Sequence, residues 1–539
     1  MSQINFEQVS TDCQIGKSIF EHADLLEVKI PTSCYRNGRC HECIVEIKDG
    51  AANLNSPSKK ELFLQENFRL ACQAIVEKTS SDIHFGLSRK QRQILTSYIP
   101  QEFEILPRIT HKDGKVYGDN TILSDYDGFI YGIAVDIGTT TVAFNIVNLE
   151  SGGIIYTGSF ENPQKFGGSD IMRRISYDAT PFQGELQKAI ISSLNHEIRN
   201  ACKLLKIRRK HIYEVLIVGN STMRDLFFGL DVQSIGQKPY KSLTEHELNQ
   251  GKRNSTTLHS TAKELGIQMS PQGLVYGAPI IASHIGADVA ADLIATKMDT
   301  EDNEIQMLID IGTNTEVIIG NKHGMLAASC PAGPAFEGGE VKHGMPGYAG
   351  AIESLAILED HSIRYKTIDD QPASGICGSG LIDVIAELRR TGQLNSLGAF
   401  INNSKEFLIE EKSRITIDRH DLSALAQAKS ANYCGQYIAA KKYGVQFSNV
   451  QTVLLAGAFA NYINIPNAQS IGLIPSIDKN RFVKCGNASL LGATILLLSI
   501  KKRQGLQDLI TNIRHIELET EPEFFDIFVE GCMFQPMIN

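Results

Sequence analysis

The chain has no excess of positive charge: 52 Lys and Arg stand against 61 Asp and Glu, a formal net charge of −9. A protein that binds nucleic acid over a wide surface is basic, so that class is set aside. It also has no long apolar run. The longest, Ala488 to Ile500, is 13 residues; a membrane-spanning helix needs about 20, so this segment reads as a core helix and no membrane partner is expected. The opening MSQINFEQVS lacks the apolar stretch of a secretory signal, and a cytoplasmic protein is expected. Eleven cysteines in such a context do not read as a disulfide framework. With 539 residues, 42% hydrophobic and 21% charged, the chain is neither disordered nor short of core, and its length allows roughly three to five structural units at about 100–200 residues each.

Residues 1–88 read as a small mixed domain. INFEQVS alternates like a strand, KSIFEHADLL has helical spacing, and ECIVEIKDG and LACQAIVEK are strand-like, with Gly50 closing a turn. Residues 89–129, polar and basic at first, are expected to be a linker carrying one short helix. From 130 to 539 the pattern becomes a large α/β domain. YGIAVDIGTTTVAFNIVNLESGGIIYTGSF reads as three strands, Gly184 to Leu205 as a helix, EVLIVGNST as a buried strand, and ASHIGADVAADLIATKM as a helix. The opening then returns: Asp136-Ile-Gly-Thr-Thr-Thr is repeated as Asp310-Ile-Gly-Thr-Asn-Thr, 174 positions later, each copy after an apolar strand. Two copies imply one duplicated fold whose second half starts near residue 305.

Two motifs carry chemistry. Cys34, Cys40 and Cys43 form a C-x5-C-x2-C loop, and Cys72 follows 29 positions on. Three thiolates on one short loop can wrap an iron–sulfur cluster, with a distant fourth completing it. Gly38 lets the backbone fold close to inorganic sulfide. A zinc site is the alternative, although zinc knuckles favour two C-x2-C pairs and one is present here; unrelated thiols are the other. The second motif is the repeated hairpin turn. Asp136 and Asp310 stand where a carboxylate could hold Mg2+. Gly138, Thr139 and Thr140 in the first copy, and Gly312, Thr313 and Asn314 in the second, offer close backbone approach and donors for phosphate. No Walker A loop competes, because Gly16-Lys17-Ser18 lacks the upstream glycine.

The cysteine loop resembles that of [2Fe–2S] ferredoxins, a β-grasp fold, and its five-residue first gap is similar to the adrenodoxin-like branch. That resemblance implies that Cys34 and Cys40 hold one iron and Cys43 and Cys72 the other. The repeated turns resemble the two phosphate motifs of the acetate and sugar kinase, heat-shock chaperone and actin superfamily, whose fold is a duplicated RNase H-like α/β domain. Val453-Leu-Leu-Ala-Gly-Ala-Phe-Ala-Asn461 is similar to that superfamily's adenosine motif, which implies nucleotide contacts at Gly457 and Asn461; it departs at Ala458, where a second glycine is usual. Gly486 to Ala493 resembles the connecting helix that follows, and Gly375-Ile-Cys-Gly-Ser-Gly380 reads either as a nucleotide-facing turn or as a plain helix entry.

A ferredoxin fused to such an ATPase suggests an electron that must be driven uphill. The pairing resembles the reductive activators of corrinoid proteins. Val218-Gly-Asn-Ser-Thr-Met223, Cys330 to Gly338 and Ile516 to Phe524 extend the likeness along nearly the whole chain. The resemblance implies an enzyme that couples ATP hydrolysis to electron transfer, with [2Fe–2S], ATP and Mg2+ as cofactors. Its partners would be a corrinoid protein of a methyltransferase system, reduced from Co(II) to Co(I), and an upstream low-potential donor, and the assembly a homodimer. Cys532 stands alone, so no second cluster is expected. Three other readings remain: the activator of a radical 2-hydroxyacyl-CoA dehydratase, a small-molecule kinase with a regulatory cluster, and a redox-gated scaffold.

Overall fold

The computed structural model describes residues 2–6, 9–87, 103–301, 303–401, 404–457 and 460–537. They form two compact units, one drawn from residues 2–87 and 105–278 and the other from residues 103–104 and 279–537. Among the described residues no helix is long and apolar enough to cross a membrane.

In the first unit β1 (Gln3–Phe6), β2 (Val9–Asp12), β3 (Ile44–Asp49), β4 (Phe68–Leu70) and β5 (Ile83–Leu87) form one sheet in the order β2-β1-β5-β3-β4, with β1 parallel to β5. Helix α1 (Ile19–Leu25) starts at a Ser18/Glu21 capping box and buries Ile19, Phe20 and Ala23. This is the β-grasp arrangement. At Gly50, in a left-handed conformation, a Cβ would stand 2.2 Å from the Asp82 carbonyl oxygen. LACQAIVEK is not the strand its alternation suggested. Only Leu70 lies in β4; Gln73 N–H then closes a turn on the Leu70 carbonyl at 2.8 Å, and Ile75 and Val76 make isolated bridges. That turn takes Cys72 out of the ladder and back toward the cysteine loop.

The stretch expected to be a linker departs from expectation too. Its part at residues 88–102 lies outside the described residues. The rest holds a three-stranded meander, β6 (Ile109–Lys112), β7 (Lys115–Gly118) and β8 (Thr121–Asp125), and no helix lies among its described residues. Asp113-Gly114 and Asp119-Asn120 take the left-handed conformations of two-residue hairpin turns. The Ser124 hydroxyl meets Tyr213 Oη at 2.7 Å.

The unit's larger sheet contains β9 (Tyr131–Ile137), β10 (Thr141–Asn148), β11 (Ile154–Glu161), β12 (Ile212–Gly219), β13 (Leu258–Thr261) and β14 (Leu274–Gly277), in the order β11-β10-β9-β12-β14-β13. Its helices are α2 (Ile171–Asp178), α3 (Glu185–Leu205), α4 (Ser221–Phe227), α5 (Leu243–Asn249) and α6 (Ala262–Leu265). β9 and β12 are buried almost end to end, as a strand covered on both faces must be.

The second unit opens with α7 (Ala287–Ala295), shorter than its sequence suggested because Ala282 and Ile285 close a tight bridge before it. Strands β15 (Gln306–Ile311), β16 (Asn314–Asn321) and β17 (Gly324–Pro331) follow. Next come a small sheet of β18 (Ala351–Ile357), β19 (Ile363–Thr367) and β20 (Gly375–Ile376), helix α8 (Gly378–Arg390), the β21 (Glu406–Glu410) and β22 (Ile415–Asp418) pair, and α9 (Arg419–Tyr443). The unit ends with β23 (Thr452–Ala456), α10 (Ile465–Ser470), β24 (Phe482–Gly486), α11 (Ala488–Leu498), α12 (Ile500–Ile510), β25 (Ile513–Ile516) and α13 (Phe524–Gly531). Its main sheet runs β24-β23-β15-β16-β17-β25. Three antiparallel strands followed by two parallel ones thus occur twice, as β11-β10-β9-β12-β14 and as β17-β16-β15-β23-β24. The fold is a β-grasp ferredoxin domain plus a duplicated RNase H-like α/β domain. The apolar run at Ala488 is a core helix: α11 is almost wholly buried and packs so closely on α7 that a Cβ on Gly492 would lie 2.0 Å from the Ala291 carbonyl oxygen.

Candidate functional site

The cysteine loop is shaped by its backbone. Tyr35, Arg36, Gly38 and His41 all adopt left-handed conformations, so the chain curls around a point and turns its amides inward. Burial raises the Cys34 thiol, but hydrogen bonds from the Cys40 and Arg39 amides, the Cys40 side chain and the Asn37 amide prevail and lower it to about 7. Cys43 and Cys72 meet at 3.5 Å between sulfurs. The Cys43 contact lowers Cys72 to about 6 against the opposing effect of burial, with help from the Gln73 side chain and the Gly38 amide. The same contact and burial push Cys43 strongly up. A set of four thiols in two close pairs, ringed by inward amides, fits two irons and their sulfides: thiolate ligands compensate cationic iron, and amides stabilise the sulfur charge. Glu61 supports the Cys72 side. It is buried and accepts from Arg69 Nε at 2.8 Å, Leu70 N at 3.1 Å and Ser58 N at 2.8 Å. Glu61 carries one signal in the sequence, the Ser58–Glu61 spacing of a capping box, and that spacing does not point to the cysteines.

The first repeated turn lies between β9 and β10. Gly138 N–H donates to the Thr141 carbonyl at 2.9 Å, and a Cβ there would stand 2.6 Å from the same oxygen. Two asparagines hold the turn. Asn162 Nδ2 donates to the Gly138 carbonyl at 2.8 Å while its N–H donates to the Thr140 carbonyl at 2.8 Å. Asn220 Nδ2 donates to Thr139 Oγ1 at 3.1 Å. Asp136 is half-buried at the end of β9. Asn162 carries no motif of its own in the sequence; Asn220 lies within the Val218-Gly-Asn-Ser-Thr-Met223 motif that extends the family likeness.

The second turn is one residue tighter: Gly312 N–H donates to the Asn314 carbonyl at 3.0 Å, and the residue opposite Asp310 across the hairpin is Glu316, whereas Ala143 stands opposite Asp136. The copies therefore differ in charge. Burial raises Asp310 to about 6, opposed by a hydrogen bond with Asp292 and reinforced by the Glu337 charge. Burial, then the charges of Asp310 and Asp288, push Glu316 well above its ordinary value. Glu337 accepts from Thr313 Oγ1 at 2.9 Å, and Ser489 Oγ donates to Asp292 at 3.0 Å. Five carboxylates thus gather at this turn, of which the sequence reading named only Asp310. The other four come from α7, β16 and the loop after β17, and nothing in their local sequence joins them.

Within the second unit the structure brings Asp310, Gly312, Thr313, Asn314 and Gly457 together; a Cβ on Gly457 would lie 3.1 Å from Asp310 Oδ1. Asn461 sits in the short turn Ala460–Tyr462, its carbonyl accepting from Lys484 Nζ at 3.0 Å. Ala458 lies outside the described residues. Gly375 to Gly380 forms the entry to α8, where a Cβ on Gly380 would be 2.2 Å from the Ile352 carbonyl oxygen.

Comparison with known proteins agrees with this architecture. Residues 304–538 match the family described as "C-terminal domain of RACo the ASKHA domain", residues 131–301 the "RACo middle region", and residues 2–77 the "2Fe-2S iron-sulfur cluster binding domain". A solved structure, "Reductive activator for corrinoid,iron-sulfur protein", superposes with a TM-score of 0.73 at 27% identity, covering 99% of each chain. The chain belongs to the reductive activators of corrinoid proteins. Two curated relatives are similar: "Corrinoid activation enzyme RamQ" of Eubacterium limosum, 29% identical over 93% of each chain, and the "[Co(II) methylated amine-specific corrinoid protein] reductase" of Methanosarcina barkeri, 21% identical over 74% of this chain and 76% of that one. As a member of this family the chain is an enzyme, with a [2Fe–2S]-binding domain and an ASKHA ATPase domain.

Proposed function

We propose that the chain reduces the cobalt of a partner corrinoid protein from Co(II) to Co(I), taking one electron from a low-potential donor and coupling the transfer to hydrolysis of ATP to ADP and phosphate. The observation that carries this reading is the joining, in one chain, of a four-thiol loop and a duplicated pair of phosphate turns over the full length shared with a reductive activator. Residues 1–88 serve as the electron-transfer domain and 130–539 as the ATPase, joined through 89–129.

Cys34 and Cys40 would hold one iron and Cys43 and Cys72 the other; a cluster held there would supply one-electron chemistry, which in plant-type [2Fe–2S] centres lies at about −400 mV. Cobalt in this couple is taken to lie lower, and a gap of about 100 mV costs roughly 2.3 kcal/mol per electron. That need is the reason for an ATPase. Gly138, Thr139 and Thr140 on one turn and Gly312, Thr313 and Asn314 on the other are assigned to the phosphates, Gly457 and Asn461 to the adenosine. Asp136 and Asp310 are assigned to Mg2+ and the attacking water. Asp310, raised to about 6, is suited to accept that water's proton near neutral pH. Nucleotide turnover would shift the ATPase between two states that differ in affinity for the corrinoid protein.

The test is to follow the cobalt spectrum anaerobically with a mild reductant. Co(I) is expected only when chain, reductant, ATP and corrinoid protein are all present. Equal rates without ATP would remove the uphill coupling. Failure with every corrinoid protein of the same organism would favour a dehydratase activator.

A further inference from the structure

The cysteine loop has two faces of opposite character. On one, His41 and Glu42 are buried, at 7% and 4% exposure. The His41 ring stacks on Phe63 with centroids 4.1 Å apart and its Nδ1 lies 2.9 Å from Glu185 at the start of α3. Ser192, further along α3, donates to the Cys40 carbonyl at 3.1 Å and approaches Glu42 Oε1 at 3.3 Å. The ATPase portion of the first unit therefore covers this face.

On the other face Tyr35, Arg36 and Arg39 are exposed, Tyr35 at 97%. The cause is the loop's own geometry: with the Asn37, Arg39 and Cys40 amides turned toward the Cys34 sulfur, these side chains must point away. Arg36 is neutralised by Asp24 at 2.6 Å and lies 4.0 Å from the centre of the Phe20 ring. Arg39 has no ion pair among the described residues, and exposed Lys60 is fixed at the lip by a 2.7 Å bond to the Asn37 carbonyl. A chain of net charge −9 thus concentrates positive charge, around one fully exposed aromatic, beside a ligand thiol. Tyrosine and arginine are the residues that anchor protein interfaces, and local charge selects the partner's sign.

We propose that this basic lip is the docking face for the electron donor, a protein that presents carboxylates around its own redox centre. Tyr35 is the contact anchor and Arg39 and Lys60 are the steering charges. One electron leaves the donor, which is oxidised by one unit, and enters the chain at the face beside Cys34; the iron that Cys34 and Cys40 would hold is reduced by one unit. The inference rests on the cluster reading above and adds the route and chemistry of entry.

The probe is a clostridial-type two-[4Fe–4S] ferredoxin, a small acidic carrier. Its binding to the iron-loaded chain is measured by calorimetry with both partners oxidised, and its reduction of the chain by stopped-flow bleaching. Raising ionic strength from about 0.02 to about 0.3 M should slow reduction about fivefold. Arg39→Glu should raise Kd and slow reduction by about the same factor at low salt and flatten the salt dependence; Tyr35→Ala should raise Kd without changing that dependence. Methyl viologen radical, which needs no docking face, should reduce all three chains equally. Unchanged Kd and rate in both variants would overturn the proposal. So would Arg39→Glu weakening the corrinoid protein alone, since the lip would then face the acceptor. Iron analysis separates the two levels: a chain without two irons overturns the functional reading and this one with it, whereas an iron-loaded chain with insensitive rates overturns this one alone.

Discussion

Gly457, at the end of β23, approaches the main chain of Ile311 so closely that a Cβ would stand 2.3 Å from the Ile311 carbonyl oxygen. Gly219, at the end of β12, stands in the same relation to Ile137, at 2.6 Å. Each glycine has a positive φ, +104° and +151°, so both space and conformation exclude a side chain. The duplication therefore reaches beyond the two Asp-Ile-Gly-Thr turns to the strand ends that press against them.

Gly457→Ala should lower stability by roughly 2–4 kcal/mol and abolish ATP hydrolysis, because the β23 end must move off the Asp310 turn. Gly505→Ala, in α12 with nothing within 4 Å, should instead stabilise by about 0.5–1 kcal/mol. Thermal unfolding of the two variants checks both signs.

Serine at Cys34, Cys40, Cys43 or Cys72 should each abolish stable binding of two irons and two sulfides, while Cys13→Ser should leave them. The measurement is iron and sulfide analysis with the EPR signal of the reduced protein. Zinc, or four irons per chain, would refute the assignment.

Glu61→Ala should cost about 3–5 kcal/mol, since it leaves Arg69 buried at 9% side-chain exposure without its carboxylate. The same change removes the acceptor for the Leu70 amide, two residues before Cys72. Loss of iron is expected together with the fall in melting temperature, whereas Glu77→Ala, at an exposed position, should change neither.

Asp310 is raised from 3.8 to about 6, so the folded chain keeps a proton that the unfolded chain releases. Stability from this group is present below the unfolded value and is lost as pH rises through about 6. Metal-free protein should therefore gain stability from pH 7 to pH 5, Mg2+ should reduce that difference, and Asp310→Asn should be more stable at pH 7 by roughly 1–2 kcal/mol. Hydrolysis should run the other way, falling as pH drops through the same range and vanishing in Asp310→Asn and Asp310→Ala. Melting curves and phosphate release, each against pH, test the two slopes.

Apolar periodicity and short spacings are local, and they were enough for a small mixed N-terminal domain, a set of four cysteines and a duplicated α/β fold with two matching hairpin turns; the β-grasp and RNase H-like folds came from the family resemblances those motifs carry. Apolar strands flanking each Asp-Ile-Gly-Thr made both hairpins legible, because a strand buried on both faces writes itself as a continuous apolar run. Local alternation misled where a long-range demand prevailed: the strand expected through Cys72 breaks after Leu70, since the thiol must turn back to a loop about 30 residues earlier in the chain. Asp113-Gly114 signalled a hairpin that the polar composition around it obscured. The chemical inequality of the two turns was decided only by tertiary structure. Asp136 and Asp310 look alike in sequence, yet a one-residue difference in register sets Ala143 against the first and Glu316 against the second. Asp288, Asp292 and Glu337 come from segments whose sequence does not tie them to the Asp310 turn. The packing of α7 and of the loop after β17 brings them to Asp310, and burial, which disfavours charge, raises Asp310 and Glu316 beside them.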